Sequence, residues 1–211
     1  MRYPVTIVDD FFSNPDEVRK LALSHKFTDD SDHFPGQRTE RLNIIEPLFY
    51  QNFIARLNSI FGFNENLFCD TGFQLIKHPY PKTDPRNKCW LHNDRYWDYG
   101  GIVYLNPDPD PDTGTDIYRS IGATSFNTEE KEKVRKLTYK GKTDLPTFEK
   151  TWNDFHSQYK RTITVDNVYN RLVCFDSSTY HRVRYNGDKE RLTLPFFVQN
   201  LNPAPLERQL I

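Results

Sequence analysis

The chain has 211 residues, long enough for one domain with a sizeable core. Its 28 Lys and Arg nearly balance 29 Asp and Glu and are scattered, so the sequence carries no electrostatic footprint for nucleic acid. No apolar stretch approaches the roughly 18 residues that span a bilayer, and the N-terminus lacks a signal-peptide layout, so a soluble cytoplasmic protein with no membrane partner is expected.

Three cysteines, Cys69, Cys89 and Cys174, are widely spaced, form no zinc-finger pattern and read as free thiols in a reducing compartment. Cys174 lies in an apolar run and reads as a small core residue. The hydrophobic share is only 36%, but aromatics at 15% supply large buried area per residue.

Residues 5–8 form a short apolar run that predicts a strand. Ser13 and Asn14 then precede Pro15, Asp16 and Glu17, a helix start with a capping side chain, an early proline and acids in the first turn. Val18, Leu21, Ala22 and Phe27 give its apolar stripe. Residues 28–41 are polar around Pro35-Gly36 and read as a loop. Pro47 opens a second helix, in which Phe49, Phe53, Ile54, Leu57, Ile60 and Phe61 follow a 3.6-residue period until Gly62 ends it.

From Leu67 the texture changes to strands. Phe73, Leu75 and Ile76 precede a proline-rich loop at 79–85. Residues 90–95 and 101–105 predict strands, the second ended by prolines at 107, 109 and 111, and Ile117 and Tyr118 suggest another. Residues 127–160 are charged, with helices predicted at 129–137 and 147–159, and read as an insertion or lid too short for its own core. There Lys131 to Lys142, mixed with Glu130 and Glu132, reads as a solvated face. Strands resume at 162–165, 171–175, 180–185 and 191–198. The order predicts a mainly β, α+β single domain, with helical support over 1–66 and a strand core over 67–200.

His92 and Asp94 stand two apart, so in a strand both side chains face the same way and can reach one metal ion. A third ligand would complete a 2-His-1-carboxylate triad with open positions. Alone, the pair reads equally as a surface His and Asp. His181 follows a later strand, Arg191 comes ten residues on, and Thr193 shares the Arg191 face. An Arg fork suits a carboxylate, and a Thr hydroxyl can add a hydrogen bond.

His92-Asn93-Asp94, then His181, then Arg191-Leu192-Thr193 resemble, in order, the 2-oxoglutarate/Fe(II) oxygenase superfamily in its prolyl-hydroxylase-like branch. GIVYLN at 101–106, Gly114-Thr115 and NRLVCFDSSTYH at 170–181 extend the likeness over roughly residues 70–200. The resemblance implies a double-stranded β-helix, or jelly roll, with N-terminal helices and a helical insertion. It implies Fe(II) on His92, Asp94 and His181, and 2-oxoglutarate with its distal carboxylate on Arg191 and Thr193. Molecular oxygen would be the second substrate and ascorbate an accessory reductant. The tyrosine that helps hold 2-oxoglutarate in the family has no clean match; Tyr104 is the candidate taken here, with Tyr80 the other. Halogenases of the superfamily have a small residue in place of the carboxylate ligand, so Asp94 implies hydroxylation or a related oxidation. The substrate expected is an amino acid, a peptidyl side chain or a related small metabolite. A non-catalytic metal- or ligand-binding jelly roll is the alternative. Three departures from the family pattern are the long separation of His92 from His181, matching the insertion, the single glycine before Thr115, and Thr193 in place of serine.

His25 and His78 read as structural, and His33 and His156 as solvated, or His156 as part of a lid helix. Tyr96, Trp97 and Tyr99 read either as a substrate-facing wall or as core. Arg182 and Arg184, opposite His181 and Val183, are expected to be exposed, and Arg119 is a candidate for an anionic substrate. Phe34 to Arg38 is a candidate loop over the mouth of the site.

Overall fold

The computed structural model describes residues 5–28, 34–62, 67–122 and 128–200. The chain begins with strand β1 (Val5–Val8) and helix α1 (Pro15–Ser24), then β2 (Gln37–Arg38), the single turn α2 (Leu42–Ile45) and α3 (Pro47–Phe61). Strands β3 (Leu67–Thr71), β4 (Gln74–Ile76), β5 (Tyr99–Tyr104) and β6 (Thr115–Ser120) follow. Helices α4 (Thr128–Tyr139) and α5 (Leu145–His156) precede β7 (Tyr159–Val165), β8 (Leu172–Asp176), β9 (Tyr180–Val183) and β10 (Arg191–Asn200).

A seven-stranded sheet runs β1-β8-β5-β10-β4-β2, with β3 also paired to β10, and a three-stranded sheet runs β7-β6-β9. All pairings are antiparallel. Side-chain alternation then decides which layer each residue serves. On β10, Leu192, Leu194, Phe196 and Val198 join Phe53 and Leu57 of α3 and Val18 and Ala22 of α1 in the main core. The other β10 face carries Arg191, Pro195 and Phe197 into a cavity. On β8, Leu172 and Cys174 face the helices, while Val173 and Phe175 join Ile117, Val165 and Tyr104 in a second cluster between the sheets. Burial on both faces explains why β8 reads as an unbroken apolar run.

The helices form where local signals put them. Pro15 and Pro47 occupy first-turn positions, where their missing N–H costs no intrahelical bond. Gly62 ends α3 in the left-handed region at φ 62°. Asp144 caps α5 by accepting from the Thr147 N–H at 2.9 Å. The cap expected from Ser13 or Asn14 does not form: Asn14 stands at the N-cap of α1 without a side-chain hydrogen bond, leaving Pro15 and the acids to set the start.

Two further expectations are corrected. Residues 28–41 are not wholly loop, because Gln37 and Arg38 pair with Leu75 and Gln74, and Thr28 bridges Arg38. Residues 90–95 are not a strand. A single bridge joins His92 to His181, after which the Asp94 N–H turns to the Ser177 carbonyl and the chain leaves the sheet. Gly101 of β5 has a packing reason: a Cβ there would overlap the Phe196 ring and the Val173 carbonyl oxygen. Among the described residues no helix is long and apolar enough to cross a membrane.

Candidate metal centre

The His92–His181 bridge is reciprocal. His92 N–H donates to the His181 carbonyl at 3.1 Å, and His181 N–H donates to the His92 carbonyl at 2.8 Å. The main chain thereby brings the two rings together, with centroids 4.4 Å apart. Asp94 is turned in behind them, and one donor atom from each of His92, Asp94 and His181 lies within 4.8 Å of the others. His181 Nε2 and Asp94 Oδ2 are 3.3 Å apart.

Each ring is fixed in the same way. His92 Nδ1 lies 2.9 Å from the Trp90 carbonyl, and His181 Nδ1 lies 2.9 Å from the Thr179 carbonyl, in both cases two residues upstream. A carbonyl can only accept, so both Nδ1 atoms carry the proton and both Nε2 lone pairs are free for a cation. The Phe175 ring, 4.2 Å from that of His181, limits its rotation. Burial, with help from the His181 charge, pushes the His92 pKa down to about 4, which keeps this imidazole neutral. Burial pushes the Asp94 carboxyl up, but His181, His92 and Arg38 outweigh it and hold the group below its ordinary value. Two imidazoles and one carboxylate are the donor set of a 2-His-1-carboxylate metal site.

Arg191, on the lining of the same cavity, is 4% exposed, and Thr193, two residues on along the same strand face, is 1% exposed. Arg191 Nε and Nη2 and Thr193 Oγ1 are buried with no hydrogen-bond partner. Buried donors are ordinarily satisfied, so three orphans on one strand face mark a place built for an acceptor. Tyr104 lies beneath, its ring centroid 6.0 Å from the Arg191 guanidinium, and its hydroxyl is 2.6 Å from Thr115 Oγ1. Thr115 itself lines the cavity, which is about 1070 Å³.

The remaining expectations divide. Trp97 lines the cavity and stacks on Phe68 at 5.9 Å, Tyr96 is 91% exposed, and Tyr99 packs against the main core. Phe34, Pro35 and Arg38 do line the cavity. His25 pairs with Glu46 at 3.0 Å, whereas His78 and Arg119 are exposed. His33 lies outside the described residues. Arg184 is not exposed: it pairs with Asp166 at 2.8 Å, Asp112 at 3.1 Å and fully buried Asp116 at 3.5 Å. Arg182, half-buried, donates to the Tyr118 hydroxyl at 2.9 Å.

Two corrections concern the insertion. His156 is not solvated. Its Nε2 accepts the Leu91 N–H at 3.2 Å and its ring stacks on Trp152 at 3.7 Å, so α5 holds the segment that carries His92. Lys131 is not on a solvated face. It is 5% exposed, lines the cavity and lies over the Phe155 ring at 4.5 Å. Helical periodicity could have flagged it, because Lys131, Val134 and Thr138 share the buried face of α4.

The fold is that of the Fe(II)/2-oxoglutarate oxygenases. HygX from Streptomyces hygroscopicus, solved with nickel and 2-oxoglutarate bound, superposes with a TM-score of 0.62 at 14% identity, over 94% of this chain and 83% of that one. A prolyl-4-hydroxylase from Pseudomonas putida gives 0.52 at 15% identity, over 95% and 94%. A prolyl hydroxylase from Trichoplax adhaerens, in complex with a hypoxia inducible factor peptide fragment, gives 0.55 at 11% identity, over 93% and 84%. By sequence, the chain belongs to a family of unknown function, DUF6445, which it matches over residues 1–193. No curated protein matches it.

Proposed function

We propose that this protein is an Fe(II)- and 2-oxoglutarate-dependent oxygenase acting as one domain. The observation that carries the reading is a three-donor metal cluster that shares one cavity with Arg191, whose donors, like the Thr193 hydroxyl beside it on the strand, are unsatisfied. A sugar-binding jelly roll or a zinc hydrolase would leave that second feature without a role.

In this reading His92, Asp94 and His181 hold the iron, and Arg191 and Thr193 hold the distal carboxylate of 2-oxoglutarate. Iron and 2-oxoglutarate together supply the activation of dioxygen, with succinate and carbon dioxide as coproducts. The protein contributes geometry. The carbonyls of Trp90 and Thr179 keep both imidazoles aimed inward. The Arg191 fork offers a carboxylate a pair of charge-assisted bonds, and Tyr104 supports that end of the cavity through Thr115. Trp97 and Phe197 close one wall against water. No protein nucleophile is needed.

HygX has been solved with hygromycin B bound and the Trichoplax enzyme in complex with a peptide fragment, so this fold takes both small molecules and peptides. Here the substrate is assigned as an amino acid, a peptidyl side chain or a related metabolite, hydroxylated or similarly oxidised. Three buried free thiols suit a cytoplasmic location.

The test is anaerobic titration of Fe(II)-loaded protein with 2-oxoglutarate, followed by the weak visible metal-to-ligand charge-transfer band. The band is expected, and expected to vanish in His92→Ala. Iron binding without the band would leave a non-catalytic metal-binding jelly roll.

A further inference from the structure

The cavity holds a second set of charges besides the triad and Arg191. Arg38 on β2, Arg95 after the metal motif, and Lys131 and Arg135 on α4 all line it. Among the described residues, the only carboxylates facing them across the lining are Asp94 and Glu132. Glu132 is shared, 3.1 Å from Lys131 Nζ and 2.7 Å from an Arg135 nitrogen. Its side chain is 37% exposed, against 6% for Lys131 and 16% for Arg135. The anion therefore sits nearer the rim than Lys131 and Arg135 do.

Arg38 makes no ion pair among the described residues. It donates to Gln74 Oε1 at 3.3 Å and lies over the Phe34 ring at 3.8 Å. The Nε atoms of Arg38 and Arg135 are buried without a hydrogen-bond partner. Buried cations are costly unless paired, and a ring face or an amide oxygen replaces only part of the lost hydration. Burial lowers the pKa of both Arg38, to about 10, and Lys131. The two cations flank the triad, the Lys131 charge being felt at His92 and that of Arg38 at Asp94. A divalent iron and a 2-oxoglutarate dianion would balance Asp94 and Arg191, so among the described residues of the lining Glu132 alone is left to balance Arg38, Lys131 and Arg135.

We propose that the substrate is an acidic small molecule, whose carboxylate or phosphate groups are gripped between Lys131 and Arg135 on α4 and Arg38 on β2. The proposal rests on the oxygenase reading for the fate of that molecule, while the anion site stands on these side chains alone. Gripped from both sides, an acidic substrate spans the mouth of the metal site and presents its middle to the open coordination positions. The insertion then acts as a selectivity element as well as a cover.

Metal-free protein tests this without any turnover. Isothermal titration with inorganic phosphate and, separately, with the tricarboxylate tricarballylate is expected to give saturable binding in the millimolar range or tighter. The preferred anion tells a phosphate site from a carboxylate site. Arg38→Gln and Lys131→Met should each weaken binding about tenfold or more, the size of one charge-assisted contact. Lys131→Met keeps an apolar stem over Phe155, and Arg38→Gln keeps a polar end beside Gln74, so both variants retain their packing. Lack of saturable binding by both anions, or unchanged affinity in either variant, overturns the proposal. Neither result depends on iron, so failure of the charge-transfer test and failure here are separate outcomes.

Discussion

Each member of the proposed site has a distinct job, and each job predicts a distinct loss. Asp94 is the only anionic donor of the cluster, so Asp94→Ala removes the charge that holds a divalent ion between the two rings. Metal affinity should fall at least about tenfold and turnover should vanish; iron retained at wild-type affinity on gel filtration would remove Asp94 from the site. Arg191 is different. Arg191→Ala should leave the metal bound and the far-ultraviolet circular dichroism unchanged, but raise the 2-oxoglutarate requirement about ten- to hundredfold. An unchanged requirement takes Arg191 out of the cosubstrate pocket. These residues were legible in the sequence because their spacing carries the geometry: two apart on one extended segment, ten from His181 to Arg191, and two more to Thr193. Arg38 and His156 were not legible. Their roles depend on which long-range neighbours come near, and sequence spacing records only short-range ones.

At the level of elements, strands with one-sided or two-sided apolar patterns declared themselves, and so did helices bounded by Pro, Asp or Gly. What failed was residues 90–95, where an extended conformation is real but the ladder is not. His92 makes one bridge, and Asp94 must turn away to bring its carboxylate behind the rings. An alternating pattern cannot distinguish a strand that stays from one that leaves after a single pair. Strand β5 carries a prediction of its own. Gly101→Ala would push a methyl into the Phe196 ring and the Val173 carbonyl, where two strands and the core already meet. A loss of about 1–3 kcal/mol is expected in urea unfolding. A neutral result would mean that β5 and β10 can part without cost.

The whole molecule carries a pH signature. His156 is held neutral by burial, with its pKa lowered to about 3 from 6.5, and His92 to about 4. Both folded values lie below the unfolded one, so the stability they represent is complete above pH 6.5 and is lost as pH falls towards about 3 to 4. Metal-free protein should therefore melt progressively lower through that window, by on the order of 1–2 kcal/mol per histidine once pH has dropped about one and a half units. His156→Gln should flatten the slope; a melting curve indifferent to pH, or a slope unchanged in the variant, would show that these rings meet water. Helix α5 would feel the change first, because protonated His156 can no longer accept from Leu91.

The bridge between His92 and His181 closes the chain into a ring, and everything between the two ligands is the circumference of that ring. Two backbone bonds fix its clasp, so the helices carried on the span can change their charges while the ligands keep their spacing. Helices α4 and α5 sit on that span, with Lys131 and Arg135 facing inward. The clasp thus separates the charges on helices α4 and α5 from the two ligands whose spacing it holds.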